Sequence, residues 1–163
     1  MTAAATASDK RAIITTPTDR EIRVERIFNA PRDRVWRAIT DPALVAQWFG
    51  RGNKLVIERD EQVRGGHWRY VEHSDHGVFG FEGRYREVVP RERTVRTFEW
   101  DGMPGHVIVE TMTLEDLGDG RTKLVNVSLF HTTMERDGML GAGMEGGMND
   151  AYAALDRVLA DME

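Results

Sequence analysis

The chain has no cysteine. Disulfides, thiolate nucleophiles and sulfur-rich metal sites are therefore excluded, and a reducing, cytoplasmic setting is the expected one. No apolar run approaches the roughly 18 residues needed to span a bilayer, and the first residues lack the charged-then-apolar order of a secretory signal. Cationic charge is in short supply: 22 Lys and Arg stand against 27 Asp and Glu, for a net charge of -5. The arginines are interleaved with glutamates rather than gathered into a stripe, which argues against nucleic acid as a partner. Serine is scarce as well. Ser8, Ser74 and Ser128 have no Gly-x-Ser-x-Gly context, and no glycine-rich phosphate loop follows a strand, so hydrolase and nucleotide-binding readings lose support.

What remains is a chain of 163 residues, 40% of them apolar, enough for one domain that buries about 70% of the unfolded chain's surface. Residues 1–19 offer only Ile13 and Ile14 as adjacent large apolar side chains and read as a mobile tail, with a single domain over 20–163. Glu21–Phe28 alternates Ile22, Val24 and Phe28 on one face and predicts a strand. Pro31, with Val35, Ala38 and Ile39 at helical spacing, predicts a short helix, and Asp41-Pro42 opens a second that stops at Gly50. From Asn53 to Phe130, short alternating runs broken by glycine-rich turns predict six strands in a meander. Thr132-Thr-Met-Glu135 fits a capping box, so one long helix is expected to follow to the C-terminus. Met144, Met148, Tyr152, Leu155, Leu159 and Met162 share one stripe of it. The expected architecture is α+β: a curved seven-stranded antiparallel sheet wrapped around a long C-terminal helix, with two short helices between strands 1 and 2.

Alternation turns Trp68, Tyr70, Phe79, Phe81, Tyr85, Phe98 and Trp100 toward that helix. Periodicity is equally compatible with rings that fill a core and rings that line a cavity. Met134, Met139, Met144 and Met148, beside Gly138, Gly141, Gly143, Gly146 and Gly147, favour an adaptable region near an opening. In phase with Ile108, Met112 and Leu114, Glu110 also points inward, and Asn126 and Ser128 accompany Leu124 and Phe130. This polar group reads first as a structural hydrogen-bond network, and second as a ligand-orienting or acid–base site with Glu110 as the candidate catalytic carboxylate. His73-Ser-Asp-His76 is a close histidine pair, but it lies in a predicted hairpin turn without a third ligand, so neither metal nor cofactor is expected.

Several motifs in this order resemble one known family. They are Asn29-Ala-Pro31, Val35-Trp36, Asp41-Pro42, Gln47-Trp48-Phe49, Gly65-Gly66-x-Trp68, Gly83-Arg-Tyr-Arg-Glu-Val-Val-Pro90, Thr97-Phe-Glu-Trp100, Gly118-Asp-Gly-Arg-Thr122 and Gly143-Met-Glu-Gly-Gly-Met148. Over residues 20–162 the chain is similar to the SRPBCC (START-like, birch-pollen-allergen-like) helix-grip superfamily. Within it, the chain resembles the branch of the C-terminal domain of the activator of heat shock protein 90 ATPase. The resemblance implies a deep hydrophobic pocket between sheet and last helix, used across the superfamily for lipids, sterols, polyketides and other apolar molecules. Its eukaryotic co-chaperones carry a further N-terminal domain with no counterpart in residues 1–19, so a chaperone is not the expected partner. The expected ligand contacts are Trp48, Phe49, Trp68, Tyr70, Phe79, Phe81, Phe98, Trp100, Glu110, Asn126, Met144, Met148 and Tyr152. A small-molecule binding protein is the leading reading; a polyketide-cyclase-like enzyme using Glu110, and an interaction module that pairs with a chaperone or a second copy, are the alternatives.

Overall fold

The computed structural model describes residues 11–162. Eight strands form one antiparallel sheet: β1 (Ile13–Thr15), β2 (Glu21–Phe28), β3 (Lys54–Asp60), β4 (His67–Ser74), β5 (Gly77–Val89), β6 (Arg93–Trp100), β7 (Ile108–Asp116) and β8 (Thr122–Leu129). Their order across the sheet is β1-β2-β8-β7-β6-β5-β4-β3, so the meander β3–β8 closes back onto β2. Two short helices, α1 (Arg32–Thr40) and α2 (Pro42–Trp48), separate β2 from β3, and α3 (Thr133–Gly141) and α4 (Met144–Asp161) end the fold. Among the described residues no helix is long and apolar enough to cross a membrane.

Three expectations change in detail. The sheet has eight strands, not seven, because Ile13–Thr15, expected within a mobile tail, pairs with Arg23–Glu25 at the edge. Ile14 packs against the core beside the buried Ala12, so three residues find a ladder that composition does not reveal. The rest of the expected tail up to residue 10 lies outside the described residues. The last helix is two helices. Both halves of the predicted capping box form, as Thr132 accepts from Glu135 N–H and Glu135 accepts from Thr132 N–H, but α3 ends at Gly141. The chain then turns at Gly143, whose φ of 79° is open to glycine at little cost, and α4 begins at Met144.

Local sequence explains the remaining elements. In β2 every second residue is buried, which puts Ile22, Val24, Arg26 and Phe28 on the inner face. Asp41 caps α2 by accepting from Ala43 N–H while Pro42 occupies the first helical position. The Trp48 indole N–H donates to Ala38 C=O at 3.0 Å and ties α2 back to α1. Gly83 leaves no room for a side chain, since a Cβ there would fall 1.9 Å from Thr97 C=O.

The core comprises two clusters. One gathers Phe28, Val35, Ala38, Leu114, Leu124, Leu155, Val158 and Leu159 under the C-terminal half of α4. The other gathers Val45, Leu55, Trp68, Tyr70 and Tyr85 beneath α2, and Phe98 touches both. Arg26 is the charged residue on the inner face of β2. Its buried guanidinium makes two bonds to Asp156 of α4, at 2.5 and 3.0 Å, donates to Ile27 C=O and lies 4.6 Å from the Phe28 ring centroid. Removing one partner of a buried pair strands the other, at 3–5 kcal/mol when both are fully enclosed. Because Asp156 is 34% exposed, Asp156→Ala is expected to lower unfolding free energy by about 2 kcal/mol, measured by urea titration; an unchanged midpoint would show that water replaces the carboxylate.

Candidate functional site

Between the two core clusters the sheet and α4 do not meet, and a cavity of about 510 Å³ lies there. Its sheet wall is built from residues in one phase of alternation: Ile22 on β2, Phe81 and Tyr85 on β5, Thr94, Arg96, Phe98 and Trp100 on β6, Ile108, Glu110 and Met112 on β7, and Leu124, Asn126 and Ser128 on β8. Met144, Gly147, Met148, Ala151 and Tyr152 of α4 form the roof, with Met139 of α3 and Trp48 and Phe49 at the end of α2 at the sides.

Strand register sets the polar groups in a row. Ile22 pairs with Ser128, Ser128 with Glu110, Glu110 with Arg96 and Arg96 with Tyr85, so one line of neighbours crosses five strands. Arg96 lies 4.0 Å from the Trp68 ring centroid, with the Tyr70 and Tyr85 rings at 5.7 and 5.9 Å. Its Nη1 donates to the Tyr70 hydroxyl at 3.4 Å. Both tyrosine hydroxyls donate to Asp60, at 3.2 Å from Tyr70 and 2.7 Å from Tyr85, and Asp60 also accepts from Gln62 Nε2 at 2.9 Å. On the cavity side, Glu110 Oε1 is 4.0 Å from Arg96 Nε, and Glu110 Oε2 accepts from Ser128 Oγ at 3.5 Å. Near α2, Arg51 and Asn53 both donate to the enclosed Glu72 carboxylate, at 3.1 and 2.7 Å.

The electrostatics follow from enclosure. Burial pushes the Glu110 carboxyl above the ordinary glutamate value, and Arg96, Asn126 and Ser128 offset only part of that. Burial likewise raises Tyr70, Tyr85 and Tyr152, so all three are neutral phenols able to donate. Burial works against the Arg96 cation, but its interactions with Tyr70, Tyr85 and Glu110 outweigh that, and it stays charged.

Of the residues expected in the site, the fold brings Trp48, Phe49, Phe81, Phe98, Trp100, Glu110, Asn126, Met144, Met148 and Tyr152 to the cavity. Trp68 and Tyr70 sit one layer behind, fully buried in the second cluster, where the Trp68 indole N–H donates to Thr97 C=O. Phe79 lies past the end of the cavity wall, 6.4 Å from the Trp100 ring. Met134, grouped with the cavity methionines from sequence, is 83% exposed on α3. His73 and His76 are exposed around the β4–β5 turn, and among the described residues no group of three or more His, Asp or Glu is placed to hold a metal. Arg96, Glu72 and Arg51 were missed. The signal for the first two was in the alternation: Arg96 is in phase with Phe98 and Trp100, and Glu72 with Trp68 and Tyr70.

A family model for Activator of Hsp90 ATPase homolog 1-like protein matches residues 29–160. The chain belongs to this family. All the cavity residues named above except Ile22 fall within the matched span of the Activator of Hsp90 ATPase homolog 1-like domain. A solved Rhodobacter sphaeroides protein is 27% identical, superposes with a TM-score of 0.85 and is covered over 100% of its length, against 94% of this chain. A Chromobacterium violaceum protein is 25% identical with a TM-score of 0.72, the match covering 89% of this chain and 100% of that one. DynU16, a protein in the dynemicin biosynthetic locus, is 30% identical with a TM-score of 0.68 over 89% of this chain and 48% of its own. These neighbours share the helix-grip arrangement. A search of curated proteins finds no match.

The raised Glu110 carboxyl has a thermodynamic consequence. The folded chain holds that proton more tightly than the unfolded chain, so this group's contribution to stability is greatest in acid. It declines as pH rises from the ordinary glutamate value through the raised one, with a slope of at most about 1.4 kcal/mol per pH unit. Urea unfolding across that range is expected to show the decline in the parent and its absence in Glu110→Gln; parallel curves for the two proteins would show that Glu110 titrates as in the unfolded chain.

Proposed function

We propose that the chain is a binding protein for a small, largely apolar molecule held between the sheet and α4. The observation that carries this reading is the cavity itself. A volume of about 510 Å³ stays open although twelve methionine and aromatic side chains surround it, among them Trp48, Phe49, Phe81, Phe98, Met144 and Tyr152. Small-molecule sites are mostly 300–1,000 Å³, apolar over most of their lining, with a few convergent polar groups, and this space has that composition. Apolar contact would supply affinity, and the row Ser128, Glu110, Arg96 would orient the ligand.

A second reading adds chemistry to binding. Glu110 lines the cavity with its affinity for a proton raised by burial, and a carboxyl so placed can exchange a proton with a bound substrate. Such a polyketide-cyclase-like role agrees with the biosynthetic locus of the neighbour DynU16. Under this reading Glu110→Gln binds substrate and does not turn it over.

Comparison of native and denaturing mass spectra tests the binding reading directly, because a ligand retained in the cavity adds to the native mass and is lost on unfolding. Ala151→Phe, which places a ring in the roof of the cavity, provides the control. It is expected to weaken binding of the neutral dye Nile red at least about tenfold while leaving the circular dichroism spectrum unchanged. Equal dye binding by parent and variant would move the ligand site elsewhere.

A further inference from the structure

We infer that Glu110 makes this cavity selective for uncharged ligands bearing a hydroxyl or carbonyl group, and excludes carboxylates such as fatty acids. The inference rests on the binding reading above and adds the ligand's charge class to it.

Two arginines line the cavity, Arg51 and Arg96, and Arg51 is already paired with Glu72 at 3.1 Å. Arg96 is a permanent cation on the inner wall, and an arginine facing an apolar space suits a carboxylate as a bidentate partner. The structure denies it that role from two sides. Behind the wall, the guanidinium is covered by the Trp68 ring at 4.0 Å and tied through the Tyr70 hydroxyl to Asp60. In front, Glu110 is its direct cross-strand neighbour and stands 4.0 Å from Nε. A ligand carboxylate that reached Arg96 would therefore have to share the enclosure with the carboxylate of Glu110. Like charges a few ångströms apart in a poorly screened space repel strongly, so binding would require a proton to be taken up at Glu110 or at the ligand.

The other groups facing Glu110 do not relieve this conflict. β8 contributes the uncharged Asn126 and Ser128, β5 the neutral phenol Tyr85, and α4 the neutral phenol Tyr152. The two further cations are each held by a carboxylate: Arg51 of the cavity lining by Glu72, and Arg26 of β2 by two bonds to Asp156. For an uncharged ligand the same groups are favourable. Tyr152 lines the cavity with no hydrogen-bond partner for its hydroxyl among the described residues, and the Asn126 amide, which faces Glu110, makes a long 3.5 Å bond to Ser128. A hydroxyl or carbonyl oxygen can accept from the Tyr152 hydroxyl without disturbing the Arg96–Glu110 pair.

Decanol and decanoate, identical except at the head, test the inference by competition with Nile red at neutral pH. The parent protein is expected to bind decanol at least about tenfold more tightly than decanoate. Glu110→Gln removes the negative charge with little change of shape; it is expected to bring the affinity for decanoate up by about tenfold or more relative to decanol. Calorimetry of the parent in two buffers of different ionisation enthalpy provides a readout that needs no variant: decanoate binding takes up a proton and decanol binding does not. Equal affinity of the parent for both heads, with no proton uptake, would overturn the inference while leaving the binding reading intact. Failure of both molecules and of Nile red to bind either protein would overturn the binding reading and this inference with it.

Discussion

Uneven packing of α4 against the sheet is the constraint on which the rest of the molecule depends. Its C-terminal half carries Leu155, Val158 and Leu159, all buried against β2, β8 and α1, and each such side chain contributes roughly 1.5–3 kcal/mol of burial. Its N-terminal half carries Gly146 and Gly147, which have no side chain to fill the space, and Met144 and Met148, whose adaptable side chains line it. One half of the helix therefore anchors the fold, and the other spans a gap. Because the anchoring half is held by both apolar contact and the Arg26–Asp156 pair, the gap can exist without loosening the sheet.

The polar row across the concave face is the second consequence. Antiparallel register makes Ser128, Glu110, Arg96 and Tyr85 successive neighbours, so their juxtaposition follows from strand pairing and needs no special loop. Enclosed ionic groups are rarely the most stabilising choice for a wall, since apolar residues of similar volume often do as well or better. Here they are tolerated because each has a partner: Asp60 accepts from two tyrosines and a glutamine, Arg96 lies against Trp68, and Glu110 meets Arg96 and Ser128. The arrangement combines a permanent cation, a carboxyl with raised proton affinity and neutral phenols on one wall, which gives the cavity chemical character as well as shape.

Much of this was legible in the sequence, and the boundary of legibility has physical causes. Alternation in β2 and β4–β8 identified the inner face correctly, including the inward turn of Glu110, because a period of two leaves no choice once the apolar partners are placed. It could not tell depth. Trp68 and Tyr70 share the phase of true cavity residues yet lie a layer behind it, beneath α2, because curvature of the sheet brings some inward positions against helices and leaves others open. Phe79 has the right phase but lies too far along β5, and Met134 sits on an exposed part of α3, the helix that sends Met139 to the cavity. Arg96 was overlooked because arginine on a strand reads as a solvent-facing residue, and only its phase with Phe98 and Trp100 signalled otherwise.

By itself the sequence determined the order of elements, the inward face of each strand, the helix caps at Asp41 and Thr132 and the family, since all of these depend on residues near one another in the chain. Tertiary structure alone decided the break between α3 and α4 at Gly143, the pairing of Ile13–Thr15 with β2, and the open volume beside Glu110. Each of those depends on how far apart two surfaces come to rest, a distance set by summed packing over the whole sheet and carried by no local pattern.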